Sequence, residues 1–227
     1  LNKLSLTGSS VEVVNSLGSE LVDISASTLT LTSGGDVTDS ADDEIIVTGK
    51  ATIVAAEGFD VLLGSNANDN VSIGSVELTG DRVFLTQTGD VAIESISAAS
   101  DLRVTSLEGG INAESGATVT AGGDATFAVN RDNADIDISN ATSNFGSLGV
   151  VGRDVVITET DGTLLTGVLT DNFTLSSGGN ITNSDRAEID SVVLGDLTAT
   201  GDIILGHGIA DSVNFGRLSL TATNASV

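Results

Sequence analysis

The chain has 227 residues and contains no Pro, Cys, Met, Trp or Tyr and a single His, a length that suits one or two ordinary domains. The lack of Cys excludes disulfides, thiolate metal sites and cysteine nucleophiles, and one His excludes any paired-His metal site. Thirty-two acidic residues against eight basic ones give a formal net charge of −24, which argues against nucleic acid or an anionic membrane as partner. No apolar run exceeds a few residues, so no segment reads as a bilayer span. Disorder is excluded as well: charged residues make up only 18% of the chain and the mean hydropathy is positive.

Taken in chain order, the predicted elements are short strands. Leu4-Ser5-Leu6, Val11-Glu12-Val13, Leu29-Thr30-Leu31, Val76-Glu77-Leu78, Val83-Phe84-Leu85 and Val119 between Thr118 and Thr120 all alternate with period two. That is the pattern of strands with one face buried. Between them lie Ser-Gly-Gly-Asp, Thr-Gly-Asp, Gly-Arg-Asp and Asn-Asp-Asn, which are turn formers. No segment carries a capped 3.6-residue apolar period, and no helix is expected.

Internal repetition organises these strands. TLTLTSGGDVTDSADDEI at residues 28–45 matches NFTLSSGGNITNSDRAEI at 172–189, an ungapped offset of 144. Half that offset carries IGSVELTGDRVFLTQTGD from Ile73 onto FGSLGVVGRDVVITETDG from Phe145. We read residues 1–227 as one segment, with super-repeats at 1–72, 73–144 and 145–214 and the start of a fourth at 215–227. Leading strands at Leu4, Leu29, Ile53 and Val76 divide each super-repeat into coils of ~24 residues. Such a unit is too small to bury its own apolar face, so stacked copies are expected to form a parallel β-solenoid, roughly 45 Å long at ~4.8 Å per coil. Leu4, Leu29, Ile53, Val76, Leu102, Phe127, Leu148, Phe173 and Leu218 are expected to point inward.

The segments LTLTSGGDVT, VTAGGDATF and FTLSSGGNIT resemble the repeat motif of filamentous-haemagglutinin-type bacterial exoproteins, over nearly the whole chain. That resemblance implies an all-β, right-handed parallel β-helix, an extracellular or cell-surface location, and an adhesive or spacer role. Cell-surface glycans or host and matrix surfaces are then the external partners, and neighbouring coils of the same or an adjacent chain the internal ones.

Candidate chemistry is sparse. The densest acidic cluster is Asp36, Asp39, Asp42, Asp43 and Glu44, which offers oxygens to Ca²⁺, as does the turn of Asn66, Asn68, Asp69 and Asn70. Asp39, Asp42, Asp43 and Asp69 are the metal candidates. At offset 144, however, Asp39, Asp42 and Asp43 become Asn183, Arg186 and Ala187, so solvated turns are preferred and no cofactor is expected. Asp135 and Asp137 are the carboxylates that adjacent strands would bring near others, but paired acids arise by chance on so acidic a surface. His207, between two glycines, is assigned no role. The six Phe residues are expected mostly in the core. Thr28/Thr30/Thr32, Thr118/Thr120 and Thr198/Thr200 have the Thr-x-Thr form of ice-binding solenoids, yet do not read as recurring in every coil on one face. The expectation is therefore a non-enzymatic structural or adhesive rod, with a carbohydrate-active or carbohydrate-binding β-helix as the alternative and ice binding more remote. Residues 1–13 and 215–227 both read as the opening of a regular unit, so the chain is expected to be part of a longer array.

Overall fold

The computed structural model describes residues 2–66 and 68–227; Leu1, where the first super-repeat opens, lies outside them. Eighteen strands join in one parallel sheet, and no described residue is helical. The protein is a parallel β-solenoid. Long strands such as Val37–Ala55 and Ile181–Ala199 bend at register shifts and run through successive faces of a coil.

Following backbone partners from coil to coil sorts the strands into three columns. The first runs Leu6, Ile24, Ile45, Val71 and, after a gap, Val91, Ile111, Ile136, Val155, Phe173, Gly195, Leu218. A second runs Val13, Leu31, Ile53, Leu78, Ile96, Val119, Ser143 and, after its own gap, Thr163, Ile181, Ile203, Ala225. The third includes Leu85, Val104, Phe127, Val150, Val168, Ile189 and Val213. Eleven rungs in a column make a rod of roughly 48 Å at the usual parallel-strand separation. Leu29–Leu31 pair in parallel with Ala51–Ile53, and Ile45–Val47 with Ile24–Ala26, so no hairpin joins these strands.

The coil lies close to the ~24 residues that the leading strands suggest, and stacked partners fix it more finely. Val13, Leu31, Ile53 and Leu78 stack directly on one another, so three coils lie between positions 13 and 78. The same advance along the chain carries Leu85 through Val104 and Phe127 to Val150. A coil therefore averages about 22 residues, with individual coils shorter or longer. A super-repeat overshoots three coils by the length of one face. The leading strands are not themselves stacked partners: Leu4 pairs with Leu21, not with Leu29. The super-repeat itself is written into the backbone. Register shifts recur at Leu4/Ser5, Val76/Glu77 and Leu148/Gly149, each one super-repeat after the last.

The interior follows from the alternation. Leu29, Ile53, Val76, Leu102, Phe127, Leu148 and Phe173 are all at most 1% exposed. Leu4 is half-buried against the core, whereas Leu218, on the last coil of its column, is 37% exposed because a coil covers it from one side only. Phe127 and Phe145 meet with ring centroids 5.6 Å apart. The Phe expectation holds in part: Phe59 is exposed and Phe84 faces outward beneath the Arg82 guanidinium, 5.7 Å away. Glycine is required where turns of successive coils touch. A Cβ on Gly34 would collide with the Ser16 carbonyl, and one on its equivalent Gly178 with that of Thr160.

Two outcomes are expected. Phe127→Ala should cost about 3–5 kcal/mol in urea unfolding through the cavity it leaves, against less than about 0.5 kcal/mol for the outward Arg103→Ala. A disulfide should close between Thr30→Cys and Thr52→Cys, which are direct cross-coil partners. It should not close between Thr30→Cys and Val54→Cys, which the longer coil suggested by the leading strands would align.

Candidate functional surface

Coil corners carry most of the chemistry-bearing side chains, because strand interiors are apolar and a polar group at a corner can reach both water and the next coil's backbone. Asp39 ends a rung of the third column and is 8% exposed. Its Oδ2 accepts the N–H of Gly64 in the next coil, and its Oδ1 lies 3.3 Å from Ser65 Oγ. Burial pushes the Asp39 carboxyl above its usual range, opposed by the Gly64 hydrogen bond. Asp43 folds back on Ser40, accepting its N–H and hydroxyl at 2.5 and 2.7 Å. Asp69 accepts Asn66 N–H at 2.7 Å and Asp42 N–H at 3.1 Å, while Asn68 Nδ2 donates to Asp42 Oδ1 at 2.8 Å. Asn70 Nδ2 lies 3.4 Å from Glu44.

The two turns are thus laced together across adjacent coils by hydrogen bonds to backbone and amide groups. Among the described residues, no three His, Asp or Glu side chains converge as a metal would need. The repeat equivalents say what the turn requires. Asn183 Oδ1 accepts Gly206 N–H at 2.9 Å, as Asp39 does from Gly64, and Gly64 and Gly206 share a left-handed backbone (φ 69° and 71°). Asp42 and Arg186 likewise share φ of 66° and 63°. The turn geometry survives replacement of carboxylate by amide and by guanidinium, so it needs an acceptor at the first position and no charge at the other.

Acidic residues at strand starts do a similar job on two of the edges, and an Asn does it on the third. Asp36 Oδ1 accepts Asp60 N–H, Asp60 Oδ1 accepts Arg82 N–H, and Asp101 Oδ1 accepts Asp124 N–H, each at 3.0 Å. Asp90 does so for Gly110 at 2.8 Å, Asp135 for Asp154 at 3.3 Å, and Asn180 for Asp202 at 2.8 Å. Arg82 clamps Asp60, whose carboxyl that contact holds below the usual range, and Arg153 clamps Asp135 at 2.8 and 2.9 Å.

A depression of about 500 Å³, open to solvent, lies over Asp90, Glu108, Asn112, Asp135 and Asp137. The structure therefore does bring Asp135 and Asp137 together with other acids. Asp135 is held by Arg153, and Asp137 accepts the Ser139 hydroxyl at 2.6 Å. His207 sits in an exposed turn, its Nδ1 2.8 Å from Leu205 O and its Nε2 3.2 Å from Ser226 Oγ.

As expected, Thr-x-Thr does not recur in every coil on one face, although other hydroxyls join it. Cross-coil pairing collects outward hydroxyls on the second column in six successive coils: Thr30/Thr32, Thr52/Val54, Glu77/Thr79, Ser95/Ser97, Thr118/Thr120 and Thr142/Asn144. Irregular coil lengths hide this alignment in the sequence. An ion cluster interrupts the array, with Lys50 Nζ 2.7 Å from both Glu77 and Glu94 and Ser75 donating to Glu94 at 2.6 Å. Thr198 belongs to another column, where it pairs with Ser176 and Thr221.

Sequence reasoning missed one set of residues. Asn15, Gln87 and Glu159 end inward-facing alternations, and the last two are only 2% exposed. Their equivalence in successive super-repeats was the available signal, since each places a polar residue where the period-two pattern calls for an apolar one.

Asp39→Asn should leave stability within about 0.5 kcal/mol, as Asn183 already does the same work, while Asp39→Ala should lose about 1–3 kcal/mol by stranding the Gly64 N–H. Urea unfolding of the two variants, with and without Ca²⁺, checks this.

No curated protein and no solved structure matches the chain. Residues 8–77 and 80–151 match a family model in two successive copies whose starts lie one super-repeat apart, the same period that spaces the register shifts. These matches span more than half of the chain, which belongs to the family described as Repeats of unknown function (DUF5649).

Proposed function

We propose that this chain is a non-catalytic spacer segment of an extracellular or cell-surface filament, whose job is reach and presentation. The observation that supports this most is the use of its polar groups. Buried and half-buried carboxylates serve backbone N–H groups of the next coil, and the same jobs pass to Asn at repeat-equivalent positions. A catalytic or metal-binding carboxylate does not tolerate that exchange. Uniform super-repeats, with no long insertion walling a cleft, point the same way, as does the likeness to filamentous-haemagglutinin-type repeats. Among the described residues no helix is long and apolar enough to cross a membrane.

A spacer is sensitive to length and indifferent to outward side chains. Deleting residues 86–150 removes three coils in register, because Leu85 and Val150 occupy the same column. Displayed on a cell surface with an epitope at its free end, the deleted chain should reach about 14 Å less. Asp137→Asn and Glu108→Gln should leave reach unchanged. Specific binding or turnover of a polysaccharide, lost in those two variants while the fold is retained, would replace the spacer reading with a carbohydrate-active one.

A further inference from the structure

The column pairing lapses twice, between Val71 and Val91 in the first column and between Ser143 and Thr163 in the second. These lapses are one super-repeat apart, and a lone backbone bond bridges each: Thr88 N–H to Val71 O, and Thr160 N–H to Ser143 O. A buried side chain fills each. Gln87 follows Val83 and Leu85 inward, and its amide reaches the Ile73 carbonyl at 3.3 Å and that of Asp90. Glu159 follows Val155 and Ile157 inward, accepts Phe145 N–H at 2.9 Å and meets the Thr163 hydroxyl at 2.5 Å. In the first super-repeat Asn15 Nδ2 bonds Gly18 O at 3.0 Å and Ser19 Oγ at 2.9 Å. The position calls for a neutral group that can replace missing ladder bonds, and two super-repeats supply an amide. Only the third supplies an ionisable acid.

We propose that Glu159 is an acid-responsive fastener: its neutral form closes the lapse between residues 143 and 163, and its ionised form loosens it. Glu159 is 2% exposed, as is Thr163, and Phe145 is 3% exposed. The strand Thr142–Val151 has no titratable residue. The strand Thr163–Ser177 has one, Asp171, engaged with Arg131 at 3.2 Å. The strand Ile136–Ile138, paired with that of Glu159, carries Asp137, engaged with Ser139; on the strand of Glu159 itself Asp154 sits beside Arg153, and the carboxylate that acts on Glu159 is Asp161, which repels its charge. Among the described residues no cation compensates an ionised Glu159. Burial is the largest influence and pushes the carboxyl up from the ordinary glutamate value; the Thr163 and Phe145 hydrogen bonds oppose it, and Asp161 reinforces it. A raised folded value means that the stabilising contribution is complete below the unfolded value of 4.5 and is lost as pH rises through the folded one.

Amide exchange at Phe145, Thr160 and Thr163, corrected for intrinsic chemistry, tests the fastener in the intact chain. Protection should be lost progressively between about pH 4 and pH 8, the direction that a raised folded value requires. Glu159→Gln should abolish that dependence, and Gln87→Glu should create one at Ile73 and Val91. An unchanged pH profile in Glu159→Gln would overturn the proposal. Should that variant not fold, ¹³C titration of the Glu159 carboxyl in the unaltered chain decides: a midpoint above the ordinary glutamate value upholds the fastener, and one at or below it refutes it.

Discussion

Everything in this molecule depends on the parallel backbone ladder between coils. Each rung must offer its N–H and C=O groups at a strand separation of about 4.8 Å to a rung belonging to the same chain one turn later. Apolar side chains then have no choice of partner: an inward Val, Ile or Leu stacks on the inward residue of the coil below. Seven of the nine expected inward residues are sealed for that reason. Large aromatics are unnecessary, and Phe127 and Phe173 are the largest fully buried side chains.

The ladder sets one period and the repeat another, and they do not divide evenly. Three coils separate Val13 from Leu78, whereas a whole super-repeat separates Leu6 from Leu78. Successive super-repeats therefore begin one face further round the rod, and Leu6, Leu78 and Val150 fall on the first, second and third columns in turn. Three super-repeats close the pattern, so Leu218 returns to the face of Leu6. Any feature encoded once per super-repeat winds round all three sides. Turns at residues 40–43, 114–117 and 184–187, which follow the same strands in each super-repeat, consequently project from three different edges.

This mismatch also explains what the sequence made legible. Period-two alternation gives strands and their inward faces directly, and the match between residues 28–45 and 172–189 gives the super-repeat, because both are statements about identity along the chain. Coil length is a statement about spatial partners. Leu4 and Leu29 look alike because each leads a period-two alternation, yet Leu4 sits on Leu21. The second-column row was illegible for the same reason: Thr52, Glu77 and Ser95 are stacked partners at unequal intervals along the chain, with no common spacing to notice. At the corners the reading compared repeats, and Asp39 and Asn183 do accept equivalent N–H groups of the next coil. It failed at Gln87 and Glu159, where the polar intrusion into an apolar alternation was visible but its partners lay in other coils.

A net charge of −24 is awkward for a fold that stacks equivalent residues a few ångströms apart. Two bare carboxylates one coil apart repel by roughly 1 kcal/mol even in water, and by several times that where the local dielectric is lower. The structure relieves this with hydrogen bonds more than with ion pairs. Asp36, Asp90, Asp101 and Asp135 each accept the N–H of the coil above, so the ladder that holds the rod together also holds its charges in place. Arg82 and Arg153 enter those edges where Asp60 and Asp135 would otherwise face further acids. Glu159 stands apart because its hydrogen bonds, unlike those of the edge aspartates, lie inside the rod and beyond the reach of water. There the acceptor role is kept only at the expense of the charge, which is why an amide serves in the other two super-repeats and why this site responds to the proton.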